Sequence, residues 1–259
     1  MTSVLALVPD RWDPPDLVGE SLTARGIDIH IVYPHEGGRP TDRELAADGL
    51  VIMGGPQSVT DPAHGAMFDD MAALVHRFHD TGRPVLGVCL GGQVVAHAFG
   101  AEVRRVGELQ FGFLDIRTRD DAAADPLLGA RPGTNRIFCW HEDCFDLPHG
   151  SVWLAEADCV PHYAFRMGDR TYGFQCHFEF TRPTLDRLME RGAHLVPKNL
   201  GTRGVELIEA LPQEIERHLG AANQYGAGLS DRWAELVLAA GRERDNGRAA
   251  ADRPHAAAR

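Results

Sequence analysis

The sequence predicts an α/β fold built on a doubly wound, mostly parallel sheet. In the N-terminal part of the chain, apolar runs rich in β-branched residues alternate with helix-compatible segments, which is the pattern of parallel strands covered by helices. One of these runs ends at a cysteine flanked by glycines, as at a sharp strand-to-helix turn. From residue 101 onward the alternation gives way to short, closely spaced apolar runs joined by turns, which are typical of antiparallel strands.

The parallel part is predicted to begin with a βαβ unit. Strands are expected at residues 4–8, 27–32, 49–56 and 85–88, with helices at 16–24 and 68–79 between them. Ligands of such a sheet lie beyond the carboxyl ends of its strands. Both Cys89 and the turn Gly54-Gly55-Pro56 fall at such ends. That turn either directs a backbone N–H toward the cysteine or is an ordinary turn, and the residues alone leave both interpretations open.

Cys89 has the G-x-C-x-G spacing of a nucleophile elbow, with Gly87 before it and Gly91 after it. A sharp turn strains the backbone of the nucleophile, and neighbours without side chains make that strain tolerable. The helix predicted at residues 93–99 would place its N-terminal end at the sulfur, where partial positive charge and free N–H groups favour the thiolate and a developing oxyanion. The alternative is a buried cysteine in a glycine-rich turn.

The last of the short strands carries His177 and Glu179. The antiparallel strands are predicted at residues 102–106, 111–117, 136–140, 152–155, 164–167 and 172–177. If the last strand continues to Glu179, the two side chains lie on one face of it. An imidazole could then take the thiol proton while the carboxylate fixes its tautomer. Alone, a His-x-Glu pair is more often a pair of surface charges.

Composition narrows the classes of function. The formal charge of -11 argues against a nucleic-acid surface, so small molecules or proteins are the expected partners. Five cysteines, with no basic N-terminal leader and no long apolar span, predict a cytoplasmic protein without a disulfide framework. The only lysine, Lys198, is not in a phosphate-binding loop pattern, which excludes a Walker-type ATP site.

The C-terminal part is predicted to be helical and then disordered. Helices are expected at residues 183–191, 204–219 and 231–240, and from Arg242 the composition of Ala, Arg and Asp without periodicity predicts a disordered tail. The 231–240 helix is either a plain C-terminal helix or part of a dimer contact. We therefore divide the chain into a catalytic domain, residues 1–223, and a C-terminal helix with its tail, residues 224–259.

Taken together, the motifs resemble those of class I glutamine amidotransferases. The segment from Gly87 to Gln93 matches that family's G-x-C-x-G-x-Q, residues 173–179 look like its G-x-Q-F-H-P-E, and residues 53–56 are similar to its oxyanion loop. Residues 140–143 and 145–148 are like the W-H-x-D and F-x-L-P of free-standing members. The resemblance covers roughly residues 4–182 and implies a flavodoxin-like fold.

The resemblance also implies roles for individual residues. Cys89 would be the nucleophile, His177 the general base and acid, and Glu179 the carboxylate that orients His177. The oxyanion N–H groups would come from Gly55 and Leu90. Gly54, Gln93 and His141 would lie near the substrate.

The family pattern is not matched everywhere. Cys176 and Phe178 stand where the family often has Phe and Pro, and residues 142–144 read Glu-Asp-Cys where Gly-Asp-Thr is commoner. On a strand, Cys176 and Phe178 point away from His177, so they should affect packing rather than chemistry. A zinc site could be imagined from Cys139, His141, Cys144, Cys176 and His177, but no C-x-x-C pair is present, so no metal is expected.

The sequence therefore predicts a thiol enzyme that hydrolyses the side-chain amide of glutamine through a γ-glutamyl thioester and releases ammonia, without a cofactor. One alternative is a γ-glutamyl peptidase or hydrolase acting on γ-glutamyl amines or dipeptides. An alternative of another class is a regulatory or scaffold subunit that keeps the fold without turnover. A synthetase or acceptor subunit, or a second copy of the chain, is a possible partner, whereas nucleic acid and membrane are not expected.

Overall fold

A mixed sheet of nine strands organises the part of the chain that the structure, a computed structural model, describes, namely residues 1–129 and 132–251. The strands are β1 (Ser3–Leu7), β2 (Asp28–Val32), β3 (Gly49–Ile52), β4 (Val85–Val88), β5 (Val103–Thr118), β6 (Gly133–Phe145), β7 (Val152–Glu156), β8 (Ala164–Met167) and β9 (Thr171–Phe174). The α-helices are α1 (Asp16–Ala24), α2 (Asp42–Leu45), α3 (Gly65–His79), α4 (Leu90–Ala98), α5 (Arg182–Gly192), α6 (Leu195–Leu200) and α7 (Thr202–Ala251).

The parallel half of the sheet has the doubly wound order that the sequence predicts. The nine strands lie in the order β2-β1-β3-β4-β9-β8-β7-β5-β6, and the first five of these are parallel. The remaining neighbours are antiparallel. One expectation was wrong: β9 belongs to both halves, because it pairs in parallel with β4 and antiparallel with β8. It therefore lies next to the strand that leads into Cys89.

Both faces of β1, β3, β4 and β9 are buried, which is why these strands read as continuous apolar runs, whereas the edge strand β2 is partly exposed. Along β1, Val4 and Ala6 pack in the cluster that also contains residues of α1 and α7. Leu5 and Leu7 pack in the opposite cluster with residues of α3 and α4. The sheet is thus covered by helices on both sides, and the carboxyl ends of its strands remain as the edge where side chains can converge.

The antiparallel half contains longer strands than predicted. β5 joins two segments predicted as separate strands, with a pairing irregularity between Arg105 and Gln110. Its partner β6 begins at Gly133 and continues to Phe145, beyond both ends of the strand predicted at residues 136–140. The pairing of β5 with β6 extends both strands because nearly every residue of one has a partner in the other.

The C-terminal helix runs without a break across residue 223, where the sequence-based division was placed. α7 is continuous from Thr202 to Ala251, so residues 220–230 are helical and the helix extends ten residues into the predicted tail at 242–251. The physical reason is a stripe that packs on the core, formed by Ala222, Tyr225, Leu229, Trp233 and Val237. Trp233 is fully buried within the chain, so it is not available for a dimer contact.

The end of α7 is also attached to the sheet. Glu243 pairs with Arg170, which precedes β9, and Arg244 pairs with Asp48, which precedes β3. The rest of the predicted tail, residues 252–259, lies outside the described residues. Within residues 1–129 and 132–251, no helix combines the length and apolar character that crossing a membrane requires.

Candidate active site

Cys89 lies at a strained turn between β4 and α4. Its backbone has φ 52° and ψ −109°, and Cys89 and Asp16 are the two described residues other than glycine with positive φ. The Cys89 N–H donates to the Phe174 carbonyl oxygen of β9 (2.8 Å), and its own carbonyl accepts from Gln93 N–H (3.0 Å). The first bond attaches the turn to β9 and the second attaches it to α4. Cys89 thus immediately precedes Leu90, the first residue of α4.

The glycines of the turn are required by close backbone contacts. A Cβ on Gly87 would collide with the Gly91 carbonyl oxygen, and one on Gly91 would collide with the Ile52 carbonyl oxygen of β3. A Cβ on Gly92 would collide with the Phe174 carbonyl oxygen. The elbow is thus packed directly against the backbones of its two neighbouring strands, as the spacing predicted.

His177 and Glu179 come together, although not on a continuing strand. β9 ends at Phe174, and His177 then makes an isolated antiparallel bridge to Phe138 of β6, to whose carbonyl oxygen His177 N–H donates (2.9 Å). The His177 side chain is bonded through Nδ1 to Glu179 Oε1 (2.9 Å). Since a carboxylate accepts, this bond assigns the proton to Nδ1 and leaves Nε2 for another partner. Both side chains are buried.

Cys89 is near enough to His177 to affect its charge. Burial alone would lower the pKa of His177, but a negative charge on Cys89, the charge of Glu179 and hydrogen bonds to both residues raise this pKa well above its usual value. These interactions favour the charged form of the imidazole. Burial raises the pKa of Glu179, and the interaction with His177 opposes that rise.

Phe180 is a neighbour of His177 that sequence reasoning missed. Its ring stacks on the imidazole, with centroids 4.0 Å apart and planes 13° apart, and Phe180 itself is buried. This contact restricts the imidazole to one plane, the plane in which Nδ1 meets Glu179. The sequence held no signal for it, because one phenylalanine after a glutamate has no distinctive spacing.

Asp13 is a second missed neighbour. It follows β1 on the loop before α1 and is 5% exposed, and its Oδ1 has no hydrogen-bond partner in the described structure. One side-chain polar atom from each of Asp13, His177 and Glu179 lies within 4.8 Å of the others. The rule that functional groups lie beyond the carboxyl ends of parallel strands would have pointed to this loop.

The Gly54-Gly55 turn lies between these groups and the elbow. A Cβ on Gly54 would collide with Asp13 Oδ2 and approach His177 Cε1 to 2.9 Å. A Cβ on Gly55 would lie 3.2 Å from Leu90 Cδ2, so the turn is adjacent to the first residue of α4. The structure thus brings Gly54, Gly55 and Leu90 to the same edge as Cys89 and His177.

Gln93 and His141 are buried around the carbonyl oxygen of Asp143. Gln93 Nε2 donates to that oxygen (3.1 Å), and His141 Nδ1 donates to it as well (2.9 Å). His141 Nε2 is bonded to the Tyr163 hydroxyl (3.0 Å). Because both ring nitrogens are used within the protein, His141 positions the end of β6. Direct substrate contact by Gln93 or His141 stays a prediction.

Comparison with known proteins places this geometry in a family. The sequence profile of the family described as glutamine amidotransferase class-I matches residues 17–193, which is more than half of the chain. The chain belongs to the class I glutamine amidotransferases. This confirms the family predicted from the motifs, and an enzymatic role follows from membership.

Individual relatives agree with this assignment. The amidotransferase chain is 29% identical over 180 residues to a putative glutamine amidotransferase-like protein, YfeJ, of Salmonella typhimurium, covering 68% of this chain and 74% of the other. It is 32% identical over 141 residues to a glutamine-hydrolysing GMP synthase of Vibrio vulnificus, covering 54% of this chain and only 25% of the synthase. The solved structure of a glutamine amidotransferase from Methylobacillus flagellatus has the same fold, with a TM-score of 0.77, 22% identity, and coverage of 91% and 95% of the two chains.

Of the remaining cysteines of this amidotransferase, Cys139 is near enough to Cys159 and Cys176 to interact with them electrostatically. Among residues 1–129 and 132–251, no group of three metal-ligating side chains includes a cysteine, so the zinc arrangement considered from the sequence is not assembled. In the group formed by Asp13, His177 and Glu179, the His177 Nδ1 atom is already bonded to Glu179. Cys176 and Phe178, which depart from the family pattern, are buried in the core that α7 covers.

Proposed function

We propose that this amidotransferase hydrolyses the side-chain amide of glutamine through a γ-glutamyl thioester on Cys89, with His177 and Glu179 as the other two members of a catalytic triad. The observation that carries the proposal is the convergence of a strained cysteine, an imidazole with a raised pKa and a carboxylate bonded to Nδ1 of that imidazole. A thiolate beside an imidazolium is a nucleophile at neutral pH.

In the first half of the proposed reaction, the Cys89 thiolate attacks the carbonyl carbon of the glutamine side-chain amide. The electrons of the C=O bond move to oxygen, and the oxyanion accepts hydrogen bonds from the N–H groups of Gly55 and Leu90. The proton on His177 Nε2 passes to the amide nitrogen. The C–N bond then breaks, ammonia leaves, and a thioester remains on Cys89.

In the second half, His177 Nε2 takes a proton from water, and the resulting hydroxide attacks the thioester carbonyl carbon. The C–S bond breaks and its electrons return to the sulfur. The C=O bond re-forms, the new γ-carboxyl group loses its proton to the solvent and glutamate leaves, while the thiolate and the imidazolium are restored. Glu179 remains a carboxylate throughout, since its role is to orient and stabilise the imidazolium.

We further propose that the ammonia is used by an acceptor enzyme in the cytoplasm. One relative is the glutamine-hydrolysing GMP synthase of Vibrio vulnificus, of which the matched region covers 25%. Five free cysteines fit a reducing compartment.

The γ-glutamyl hydrolase alternative receives less support from the surroundings of Glu142. From the sequence, this carboxylate in place of the usual glycine could either narrow the site or attract an amine-bearing leaving group. In the structure Glu142 forms an ion pair with Arg105 across the β5–β6 pairing. Its charge is thereby matched within the protein, which favours ammonia as the leaving group.

The test is a side-by-side assay of the isolated protein on glutamine and on a panel of γ-glutamyl dipeptides and amines. Glutamine should give equal amounts of glutamate and ammonia, and Cys89→Ala should reduce both to background. The matched control is Cys159→Ser, because Cys159 is an exposed cysteine far from the elbow in sequence. A mixture with a candidate acceptor enzyme shows whether the acceptor accelerates the reaction.

Two outcomes would replace the proposal. Fast cleavage of γ-glutamyl amines with glutamine as a poor substrate would identify a γ-glutamyl hydrolase. A folded protein without turnover on any substrate, and without an acyl-enzyme in the mass spectrum after incubation with glutamine, would point to the scaffold alternative.

A further inference from the structure

The carboxyl group of Asp13 is buried beside the proposed triad without a bonding partner for Oδ1. Glu179 has the complementary feature: Oε1 is bonded to His177, whereas Oε2 is buried without a partner in the described structure. Buried polar atoms are rarely left unsatisfied. Two carboxyl groups within 4.8 Å of the same imidazole can satisfy each other only if one of them carries a proton.

The backbone holds Asp13 in this place. Asp16 follows it at the start of α1 with a strained φ of 35°, and its Oδ2 accepts hydrogen bonds from Thr181 N–H (3.0 Å) and Oγ1 (3.1 Å). The next residue, Leu17, donates its N–H to the Glu179 carbonyl oxygen (3.2 Å). The loop that carries Asp13 is therefore fastened to the segment that carries Glu179.

The charges around Asp13 decide which acid is protonated. On its own loop Asp10 and Asp16 disfavour a further negative charge, and on the facing segment Glu179 does the same, whereas His177 is the positive group. Burial, the largest effect, raises the pKa of Asp13 well above its usual value. Glu179 has a hydrogen bond from His177 that stabilises its charge, so Asp13 is the acid that keeps the proton.

We propose that Asp13 is a positioning residue, whose neutral carboxylic acid donates a hydrogen bond to Glu179, directly or through one water molecule, and so fixes the carboxylate that orients His177. This inference rests on the proposed role of Cys89, His177 and Glu179. It adds a fourth residue to the group around the imidazole, next to Gly54. Without the donor, Glu179 is held only by the bond between its Oε1 and His177 Nδ1. The carboxylate that orients the imidazolium is then less firmly fixed.

The experiment compares Asp13→Ala, which removes the donor, with Asp13→Asn, whose amide group remains a donor. The first readout is the rate at which iodoacetamide alkylates Cys89 as a function of pH, in a buffer containing EDTA, since this rate needs no substrate. The second is the KM and kcat for glutamine. The matched control is Asp10→Ala, because Asp10 is on the same loop and accepts its hydrogen bond from Trp12 N–H.

We expect Asp13→Ala to slow alkylation at mildly acidic pH by about tenfold or more, the scale on which removal of an outer hydrogen-bond partner acts. Its alkylation profile should move to higher pH, and the loss in turnover should fall on kcat rather than KM. Asp13→Asn should recover most of the alkylation rate, and Asp10→Ala should keep the wild-type profile. If Asp13→Ala does not fold, Asp13→Val, of similar shape and also without a donor, carries the same expectation.

Two results would overturn the inference. If Asp13→Asn is as slow as Asp13→Ala, the group acts as a charge and not as a donor. If both variants alkylate like the wild type, Asp13 has only a packing role. Failure of the proposed function looks different: the wild type would then not hydrolyse glutamine, while the ranking of the alkylation rates would still decide the role of Asp13.

Discussion

Gly226 of α7 lies directly against the backbone carbonyl of Phe178, the residue between His177 and Glu179. A Cβ at position 226 would collide with the Phe178 carbonyl oxygen and would lie 3.2 Å from Leu17 Cδ1. The next turn of the helix adds Ser230, whose hydroxyl donates to the Gly226 carbonyl oxygen (2.8 Å). α7 therefore packs against the segment that carries His177 and Glu179. The two can approach this closely because residue 226 is a glycine.

Gly226→Ala should destabilise the protein and lower turnover. The added methyl group must push α7 away from Phe178 or shift that residue, and overpacking of this kind typically costs about 1–3 kcal/mol. Thermal unfolding and glutaminase assays measure the two effects. Gly220→Ala is the matched control on the same helix: position 220 is exposed, with nothing within 4 Å of the added Cβ. It should stabilise the protein by about 0.5–1 kcal/mol and leave turnover unchanged. If Gly226→Ala and Gly220→Ala had the same thermal stability and turnover, the close contact between Gly226 and the Phe178 carbonyl would be contradicted.

Cys89 should be the most reactive thiol at mildly acidic pH. Its partner His177 has a raised pKa, whereas burial raises the pKa of Cys139, Cys144 and Cys176, which keeps those three as thiols. Limited iodoacetamide labelling followed by peptide mapping identifies the modified site. Cys159 is exposed, so the comparison is repeated in Cys159→Ser. Preferential modification of Cys139, Cys144 or Cys176 would contradict the elbow argument.

Glu179→Gln should impair turnover strongly but less than Cys89→Ala. The carboxylate orients and stabilises the imidazolium, whereas the thiol forms the bond to substrate, and loss of an orienting acid can cost roughly 10⁴ in rate. Steady-state kinetics of both variants on glutamine give the rank. If Glu179→Gln matched the wild type, the orienting acid would have to be another carboxyl group, and Asp13 would be tested first.

His141 should make the protein less stable as the pH falls from 6.5 toward 4. Burial lowers the pKa of His141 from 6.5 to about 4, so in this window the unfolded chain binds a proton that the folded protein does not. The contribution of the uncharged His141 to the free energy of unfolding is fully present above pH 6.5. That free energy falls by roughly 3 kcal/mol between pH 6.5 and pH 4. Urea unfolding across this range should show a flatter slope in His141→Gln than in the wild type. His149→Gln, at an exposed position, should keep the wild-type slope.

Much of the fold and part of the candidate site are predictable because they depend on local pattern. The apolar runs of the central parallel strands β1, β3 and β4 are visible in sequence since both of their faces are buried. The glycines around Cys89 have the spacing that the elbow needs, because the contacts they avoid are made within the turn and with its neighbouring strands. Motif spacing also gave the family, which comparison with known proteins confirmed.

By itself, then, the sequence determined the doubly wound sheet, the family and the position of Cys89 at a glycine-flanked turn. Only the tertiary structure decided that α7 is one continuous helix, that Phe180 stacks on His177 and that Asp13 faces Glu179. These relationships join parts of the chain that are distant in sequence, or depend on which face of a segment is covered. No local spacing encodes them, because each arises when separate elements pack and exclude water from the groups between them.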